Sequence, residues 1–176
     1  FAADVQLPGM LHVAMVSSPY ACAEIISVNA ETALALPGVH YVLTGEELSR
    51  KINPLLSGLD LPDVKRLPLA NKRARYAGEW VAAVVAETRH IAEDAAELVE
   101  VDYEVLPPVL DVRRAMEEDA PLVHEDLETE SLGEKSGKKS NVAQHSQMVL
   151  GEGEKGFAAA AVVAEREFRT GTVHQG

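Results

Sequence analysis

Residues 75–107 read RYAGEWVAAVVAETRHIAEDAAELVEVDYEVLP, and this stretch decides the fold. Residues 80–86 form a short, uniformly apolar run, which predicts a strand buried on both of its faces. Gly78 precedes the run and predicts a turn in which the glycine takes a positive φ. Thr88 follows the run, and we expect its side chain to cap a helix by accepting a hydrogen bond from a free backbone N–H.

The segment after Thr88 predicts an amphipathic helix. Its apolar side chains share one broad face, and its acidic side chains lie largely on the other. The apolar set is Ile91, Ala92, Ala95, Ala96, Leu98 and Val99, and the acidic set is Glu93, Asp94, Glu97 and Glu100. Residues 101–105 then alternate apolar and acidic side chains, as a half-buried strand does, until Pro107 and Pro108 end it. A strand, a helix and a strand therefore make up the predicted core unit.

The sequence on the N-terminal side of this unit, and just after it, predicts further strands and short helices. Strands are expected at residues 10–16, 23–28 and 39–43, with a short extended piece at 121–124. Helices are expected at 30–36 with Asn29 as cap, in a single turn after Thr44, and at 112–118 with Asp111 as cap. Residues 52–68 are rich in proline and predict an irregular excursion. The mixture indicates an α+β domain.

The C-terminal third is predicted to be organised differently. Residues 128–141 are polar and lysine-rich with Gly and Ser, which indicates a linker or a mobile loop. Beyond them we expect an extended piece at 144–150, a helix at 154–161 and a strand at 162–168. The predicted limits are a domain over 1–127, the linker over 128–141 and a connecting segment over 142–176. Because no initiator methionine opens the chain and no terminal signature closes it, we expect it to be cut from a longer protein.

Composition narrows the classes of protein. A chain of 176 residues suits one domain, with or without an appendage. The apolar content of 47% excludes disorder throughout, and the aromatic content of 5% predicts a core of small side chains. The net charge of -12 argues against nucleic acid and anionic membrane surfaces as partners. No apolar run approaches membrane-spanning length, and no signal peptide opens the chain.

No set of residues in the sequence predicts an active site. The histidines show no metal-ligand spacing with one another or with Cys22; they are His12, His40, His90, His124, His145 and His174. Cys22 is expected to be a small packed thiol. Because it is the only cysteine, an internal disulfide is excluded and a reducing, cytoplasmic location is favoured. Gly78 with Glu79 is the one local feature with a functional character, and a structural turn explains it as well. We therefore assign no catalytic, cofactor-binding or metal-binding residue.

Several stretches in a fixed order resemble a known family. They are Leu7-Pro-Gly-Met-Leu11, Ser18-Pro-Tyr-Ala, Pro37-Gly-Val39, Arg75-Tyr-Ala-Gly-Glu79 before VAAVVAET, Ala92-x-x-Ala-Ala96, and Val101-Asp-Tyr-Glu104 with Leu106-Pro107. Together they resemble the N-terminal α/β-hammerhead domain of the molybdopterin-binding subunit of molybdenum hydroxylases. That family includes xanthine dehydrogenase, aldehyde oxidase and the aerobic carbon monoxide dehydrogenases. The resemblance covers about residues 4–124, and residues 165–176 resemble the family's connection into its large cofactor-binding region.

The resemblance implies a support domain in an oxidoreductase. Such enzymes place water-derived oxygen on a carbon centre with a molybdenum–molybdopterin cofactor, and pass electrons to iron–sulfur clusters and often FAD. The cofactor and the catalytic glutamate lie mainly in the region C-terminal to this domain, so the resemblance implies no cofactor in this chain. It also implies partners: the C-terminal molybdopterin-binding region, and iron–sulfur and flavin subunits or domains. Two residues depart from the common pattern, Cys22 in place of histidine and Trp80 in place of proline.

Two other classes stay open on the sequence alone. Hammerhead motifs are similar to folds that carry biotinyl or lipoyl groups, and a carrier needs a modifiable lysine at an exposed hairpin tip. Lys72 is the nearest candidate, although the flanking pattern of such domains is missing. A protein-interaction module without enzyme activity is the other alternative.

Overall fold

The computed structural model describes residues 4–54 and 67–171. The chain divides into two compact units, Phe1–His145 and Ser146–Gly176. Most of the irregular excursion predicted at 52–68 lies outside the described residues.

The first unit mixes strands and short helices, which confirms the α+β prediction. In chain order its elements are β1 (His12–Ser17), β2 (Ala23–Asn29), α1 (Glu31–Leu34), β3 (Val39–Thr44), α2 (Gly45–Lys51), β4 (Arg73–Ala74), β5 (Trp80–Ala86), α3 (Arg89–Glu97), β6 (Glu100–Val105), α4 (Val112–Ala115), β7 (Glu128–Ser131), β8 (Glu134–Lys139) and β9 (Gln144–His145).

The central strand of the first sheet is β5. The sheet has the order β1-β5-β3, and both neighbours run antiparallel to β5. Val81 and Val84 point to opposite faces, and both are fully buried. This confirms the strand predicted from the apolar run. On one face, Ala82 and Val84 pack with Ala95 of α3 in the main apolar cluster.

The second sheet places β6 away from β5. Its order is β4-β2-β6, and β2 pairs antiparallel with β6 from Ala23 opposite Val105 to Asn29 opposite Glu100. The predicted strand–helix–strand unit therefore spans two sheets, with α3 as the connection between them. An alternating pattern indicates which face of a strand is buried, but it does not indicate which strand is the neighbour. The sequence therefore did not determine which sheet β6 joins.

Side-chain caps begin three of the helices. The Thr88 hydroxyl accepts a hydrogen bond from Ile91 N at 3.2 Å, and the Thr44 hydroxyl accepts from Glu47 N at 3.3 Å. The Asp111 carboxylate accepts from the N–H groups of Arg113 and Arg114. These three caps confirm the predictions.

The helix bounds differ from the predictions in detail. Helix α2 extends to Lys51, well beyond the single turn expected, whereas α1 and α4 stop at Leu34 and Ala115, short of residues 36 and 118. Asn29 does not occupy the cap position of α1, because Ala30 stands there. The Asn29 side chain still accepts a hydrogen bond from Glu31 N at 3.0 Å, so the capping chemistry was right and its position was one residue off.

Residues 128–139 form a β-hairpin, which corrects the linker or mobile loop expected there. Strands β7 and β8 pair antiparallel, and β9 joins β7 in a parallel pairing. Leu132 and Gly133 make the two-residue turn, with φ of 53° and 88°, as a type I′ turn requires. Leucine is uncommon in that position, so the sequence did not indicate a turn there. Glu128 lies opposite Lys139 and Glu130 opposite Lys135, so opposite charges face each other across the hairpin.

The second unit contains one helix, α5 (Gly153–Ala159), close to the predicted bounds 154–161. The strand predicted at 162–168 is not formed, and the extended piece predicted at 144–150 is a strand only over Gln144–His145. Val162 and Phe168 are largely exposed. A strand needs a neighbouring strand for its backbone hydrogen bonds, and no strand of the described residues pairs with residues 162–168.

The contact between α3 and β5 generates a stability prediction. Ala95 is fully buried against the sheet, so Ala95→Leu should overpack this contact and cost about 1–3 kcal/mol. For a chain of this size we expect Tm to fall by about 2–4 °C for each kcal/mol lost. Asp94→Leu, at an exposed neighbouring position, is the matched control and should change stability little. Equal Tm values for Ala95→Leu and the parent would contradict this packing.

Candidate interaction surface

Aromatic side chains gather where β1 and β6 end and β5 begins. The chain has one tryptophan and four tyrosines, and Trp80 and three of the tyrosines belong to this region. The rings of Tyr20 and Tyr103 meet edge to face with centroids 5.3 Å apart. Trp80 pairs with Ser17 across the β1–β5 ladder, and Tyr76 opens the turn that leads into β5. We call these four residues, Tyr20, Tyr76, Trp80 and Tyr103, the aromatic end, because backbone hydrogen bonds join the segments that carry them.

The turn before β5 holds the aromatic end together. Gly78 has φ of 90°, which confirms the predicted left-handed conformation. A Cβ at Gly78 would meet no heavy atom within 4 Å, so backbone conformation and not space selects glycine there. The Glu79 N–H donates to the carbonyl of Tyr76 at 3.2 Å, and the Glu79 carboxylate accepts from Arg75 N. Gly78 and Glu79 therefore serve to close the turn.

Ser18 joins this turn to the end of β1. Its N–H donates to Glu79 O at 2.8 Å, and its carbonyl accepts from Gly78 N at 2.7 Å. Its buried hydroxyl accepts from Tyr20 N at 3.2 Å and lies 3.3 Å from Tyr20 O. These bonds continue the β1–β5 ladder past the irregularity between Val16 and Ser17 and orient Tyr20. The turn and Ser18 therefore join the backbone segments that carry Tyr20, Tyr76 and Trp80.

Three side chains of the aromatic end are open to solvent although they are large and partly apolar. Trp80 is 50% exposed, Tyr76 60% and Tyr20 38%. Trp80, a bulky aromatic residue at the first position of β5, therefore lies half in and half out of the core. Exposed aromatic clusters are typical of protein interfaces, because aromatic rings join a large contact area to a polar group. The aromatic end has the chemistry of a docking surface.

Tyr103 is the inner residue of the aromatic end. Its hydroxyl is buried and has no hydrogen-bond partner of normal geometry among the described residues. Burial raises the pKa of Tyr103, and the nearby Ser18 hydroxyl opposes the shift. A buried hydroxyl without a partner costs free energy, so this group destabilises the chain as it stands.

Two arginines attach residues 122–125 next to the aromatic end. The Arg73 side chain, 12% exposed, donates to Glu24 at 3.0 Å and to Glu125 at 2.6 Å. Arg75 donates through Nε to the carbonyl of Val123 at 3.1 Å. Asn141 holds the same segment from the other side, because its Oδ1 accepts from Val123 N at 2.8 Å. Residues 121–124 form no strand, so the short extended piece expected there is anchored by side chains instead.

The other candidate residues lie apart. Cys22 is a half-buried free thiol whose carbonyl accepts from Leu106 N at 2.9 Å. Lys72 is exposed, and its carbonyl accepts from Ile25 N at 2.7 Å, so it continues the β2–β4 ladder and does not stand at a hairpin tip. This placement removes the residue on which the carrier alternative depended.

The histidines form no cluster in the part of the chain that the structure describes. No group of three potential metal ligands occurs among those residues, and His174 falls outside them. In the same described residues, no helix combines the length and the apolar character that a membrane crossing requires.

Tyr103 generates a prediction about pH. Because burial raises the pKa of Tyr103 in the folded chain, the fold accommodates the neutral hydroxyl better than the phenolate. The free energy of unfolding should therefore be highest below the ordinary tyrosine pKa of about 10 and fall as pH rises from there through the higher folded value. Tyrosinate absorbance should show one late-ionising tyrosine, and Tyr103→Phe should remove that step. Tyr41→Phe is the control and should leave it in place. A late step that survives in Tyr103→Phe would contradict the assignment.

Comparison with known proteins identifies the family. Residues 1–107 match the model of the aldehyde oxidase and xanthine dehydrogenase a/b hammerhead domain. The carbon monoxide dehydrogenase large chain of Afipia carboxidovorans is 41% identical over 181 residues, covering 97% of this chain and 21% of that protein. The probable hypoxanthine oxidase XdhD of Escherichia coli K12 is 34% identical over 189 residues, covering 93% of this chain and 20% of that protein.

A solved structure agrees with these relatives. The carbon-monoxide-reduced Cu,Mo-CO dehydrogenase superposes with a TM-score of 0.70 at 37% identity, over 91% of this chain and 20% of that one. The chain thus spans about a fifth of the length of these relatives. The ordered motifs, the fold and these comparisons agree that the chain belongs to the aldehyde oxidase and xanthine dehydrogenase family and that residues 1–107 are its α/β-hammerhead domain.

Proposed function

We propose that this chain is a non-catalytic support domain of a molybdenum hydroxylase large subunit, and that the aromatic end docks against the rest of that subunit. The observation that carries the proposal is the half-exposed set Tyr20, Tyr76 and Trp80, whose backbone segments are joined by the hydrogen bonds of Ser18 with Gly78 and Glu79. A rigid aromatic surface loses little conformational entropy when it becomes buried in an interface.

The parent enzyme would oxidise a carbon centre and place water-derived oxygen on it. Its molybdenum–molybdopterin cofactor would lie in the region of the subunit outside this chain, and iron–sulfur clusters and possibly FAD in partner subunits or domains would receive the electrons. The described residues do not fit a metal site, because they bring no three ligating side chains together. We therefore assign no step of the reaction to a residue of this chain.

A chimaera tests the proposed function. The hammerhead region of the Afipia carboxidovorans large chain would be replaced by residues 4–124 of this chain, and the molybdenum content and carbon monoxide oxidation of the assembled enzyme measured. We expect both to be retained, because the two chains are 41% identical over the 181 aligned residues. Trp80→Ser with Tyr76→Ser should then lower the yield of assembled enzyme severalfold, because buried aromatic residues dominate interface free energies.

The control for the chimaera is Tyr41→Ser. Tyr41 lies opposite Val85, near the end of β5 remote from Trp80, and should not affect assembly. All substitutions would also be made in the 176-residue chain, so that a loss of stability from the half-buried ring of Trp80 is separated from a loss of assembly. Equal assembly of the aromatic-end and Tyr41 variants would refute the docking role.

Tryptophan fluorescence gives a second test, because Trp80 is the only tryptophan. In the 176-residue chain its emission should be red-shifted and readily quenched by iodide, since half of the side chain is exposed. In the chimaera, with the other tryptophans of the large chain replaced by phenylalanine, the emission should shift to the blue. Efficient quenching of Trp80 in the assembled enzyme would show that the aromatic end is not covered.

A further inference from the structure

Strand β1 lies at one edge of the first sheet, although its sequence is typical of an interior strand. Among the described residues it pairs only with β5, in a register that is regular from His12 to Val16. Its sequence, HVAMVS, contains an unbroken apolar run at residues 13–16 and no lysine, proline or acid. Edge strands of natural sheets usually carry charges, prolines or bulges, whereas a continuous apolar run is typical of a strand covered on both faces. The composition of β1 therefore indicates a further neighbour.

Both faces of β1 keep apolar surface open to solvent. None of its residues is buried, whereas most of β5 is. Val16 packs at the border of the apolar cluster below α3, and Val13, on the opposite face, is 58% exposed. A strand added beside β1 would cover both rows of side chains.

The other edge of the sheet, β3, has a different composition. The His40 ring lies 3.4 Å from the Glu87 carboxylate. The Tyr41 hydroxyl is hydrogen-bonded to the Glu47 carboxylate, and the Thr44 hydroxyl accepts from Glu47 N. Strand β3 thus carries polar side chains that have partners within the chain, and β1 is the more apolar of the two edges.

A groove runs along β1 and contains an unpaired acid. It has a volume of about 730 Å³ and is lined by β1 and by one stripe of α3, formed by Arg89, Glu93, Ala96 and Glu97. Arg89 and Glu93 neutralise each other, because Arg89 Nε donates to the Glu93 carboxylate at 2.8 Å. Glu97 has no ionic or hydrogen-bonding partner in the described part of the chain. The groove is therefore apolar along the strand and negative at Glu97.

The order of the chain places Glu97 near one end of the groove. Ala86, the last residue of β5, pairs with His12, and α3 begins three residues later and packs on β1. The helix therefore runs from the His12 end of β1 toward the Ser17 end. Glu97, its last residue, lies toward the Ser17 end.

We propose that β1 receives an additional strand from the part of the large subunit outside this chain. The inference rests on the proposed function, because it takes the rest of that subunit as the partner. The chain spans about a fifth of the length of its relatives, so most of such a subunit is available to supply the strand. A segment of the same polypeptide is present at a high effective concentration, which favours it over a separate protein. The first sheet then has four strands.

The added strand has a defined chemistry. Backbone hydrogen bonds to the outer row of β1 give it affinity, and its alternate side chains give it specificity. One row of its side chains enters the groove below α3, and the other row covers Val13 on the opposite face. Both rows meet apolar side chains of β1, so both are apolar over most of their length. Toward the Ser17 end, the row in the groove carries a lysine or an arginine that pairs with Glu97.

Hydrogen–deuterium exchange of β1 tests the proposal. It would be measured by mass spectrometry on the 176-residue chain and on the assembled chimaera. In the 176-residue chain the amides of the outer row should exchange quickly, because water is their only partner, and the amides bonded to β5 should exchange slowly. In the assembled chimaera both rows should exchange slowly. Strand β5 is the control, because it is bonded on both sides in either protein and should not change.

The exchange result separates this inference from the proposed function. Fast exchange of the outer row in an assembled chimaera would refute the added strand and leave the docking of the aromatic end intact. Slow exchange of that row already in the 176-residue chain would also refute it, because the edge would then be covered by the chain itself. A chimaera that does not assemble would refute the proposed function, and this inference with it.

Glu97 has its own test in the chimaera. Glu97→Lys should lower the yield of assembled enzyme severalfold, because it sets a cation against the cation of the added strand. Asp94→Lys makes the same change of charge on α3 outside the groove, so it is the matched control and should assemble like the parent. Circular dichroism melting of both variants in the 176-residue chain separates a loss of folding from a loss of assembly. Equal yields from the two variants would overturn the proposal.

Val13 tests the strand edge itself. Val13→Lys places a charge on the edge and should lower assembly severalfold, with fast exchange of the outer row. Val13→Thr keeps the branched shape without a charge and should assemble like the parent. Ile26→Lys is the second control, because Ile26 is 55% exposed and lies on β2 of the other sheet. Equal yields from Val13→Lys and Ile26→Lys would overturn the proposal.

Discussion

The close approach of α3 to β5 is the constraint on which the rest of the first unit depends. Ala82 and Val84 on the strand and Ala95 on the helix are small, so the helix backbone can lie near the sheet. Larger residues at these positions would separate the two layers. Because aromatic residues are scarce in the chain, alanine and valine fill most of this core. The aromatic residues lie outside the cluster of buried core residues.

The same contact explains how the two sheets are joined. Helix α3 packs on the first sheet and delivers the chain directly into β6, which belongs to the second sheet. A second close approach supports this arrangement, since a Cβ at Gly45 would lie 1.7 Å from the carbonyl oxygen of Ala70. The turn at Gly78 and the strand β6 are thereby brought to one end of the molecule, where Tyr103 meets Tyr20. The aromatic end is thus a consequence of how the layers are connected.

The unit is well packed inside but incomplete on its surface. The aromatic end exposes rings, and β1 exposes a regular strand edge among the described residues. Each of these features consists of side-chain or backbone groups that could form further contacts. Such surfaces agree with a chain that spans about a fifth of the length of its relatives.

The sequence by itself determined the local features. Apolar runs and apolar–polar alternation located β5, α3 and β6. Side-chain chemistry located the caps at Thr44, Thr88 and Asp111, and Gly78 marked a left-handed turn. Each of these features depends on residues that are close together in the chain. The ordered motifs also identified the family. Only the tertiary structure decided which sheet β6 joins, that Arg73 and Arg75 anchor residues 122–125, and that the rings of Tyr20 and Tyr103 meet. These depend on contacts between residues far apart in the chain, and strand alternation or an isolated arginine does not name its partner.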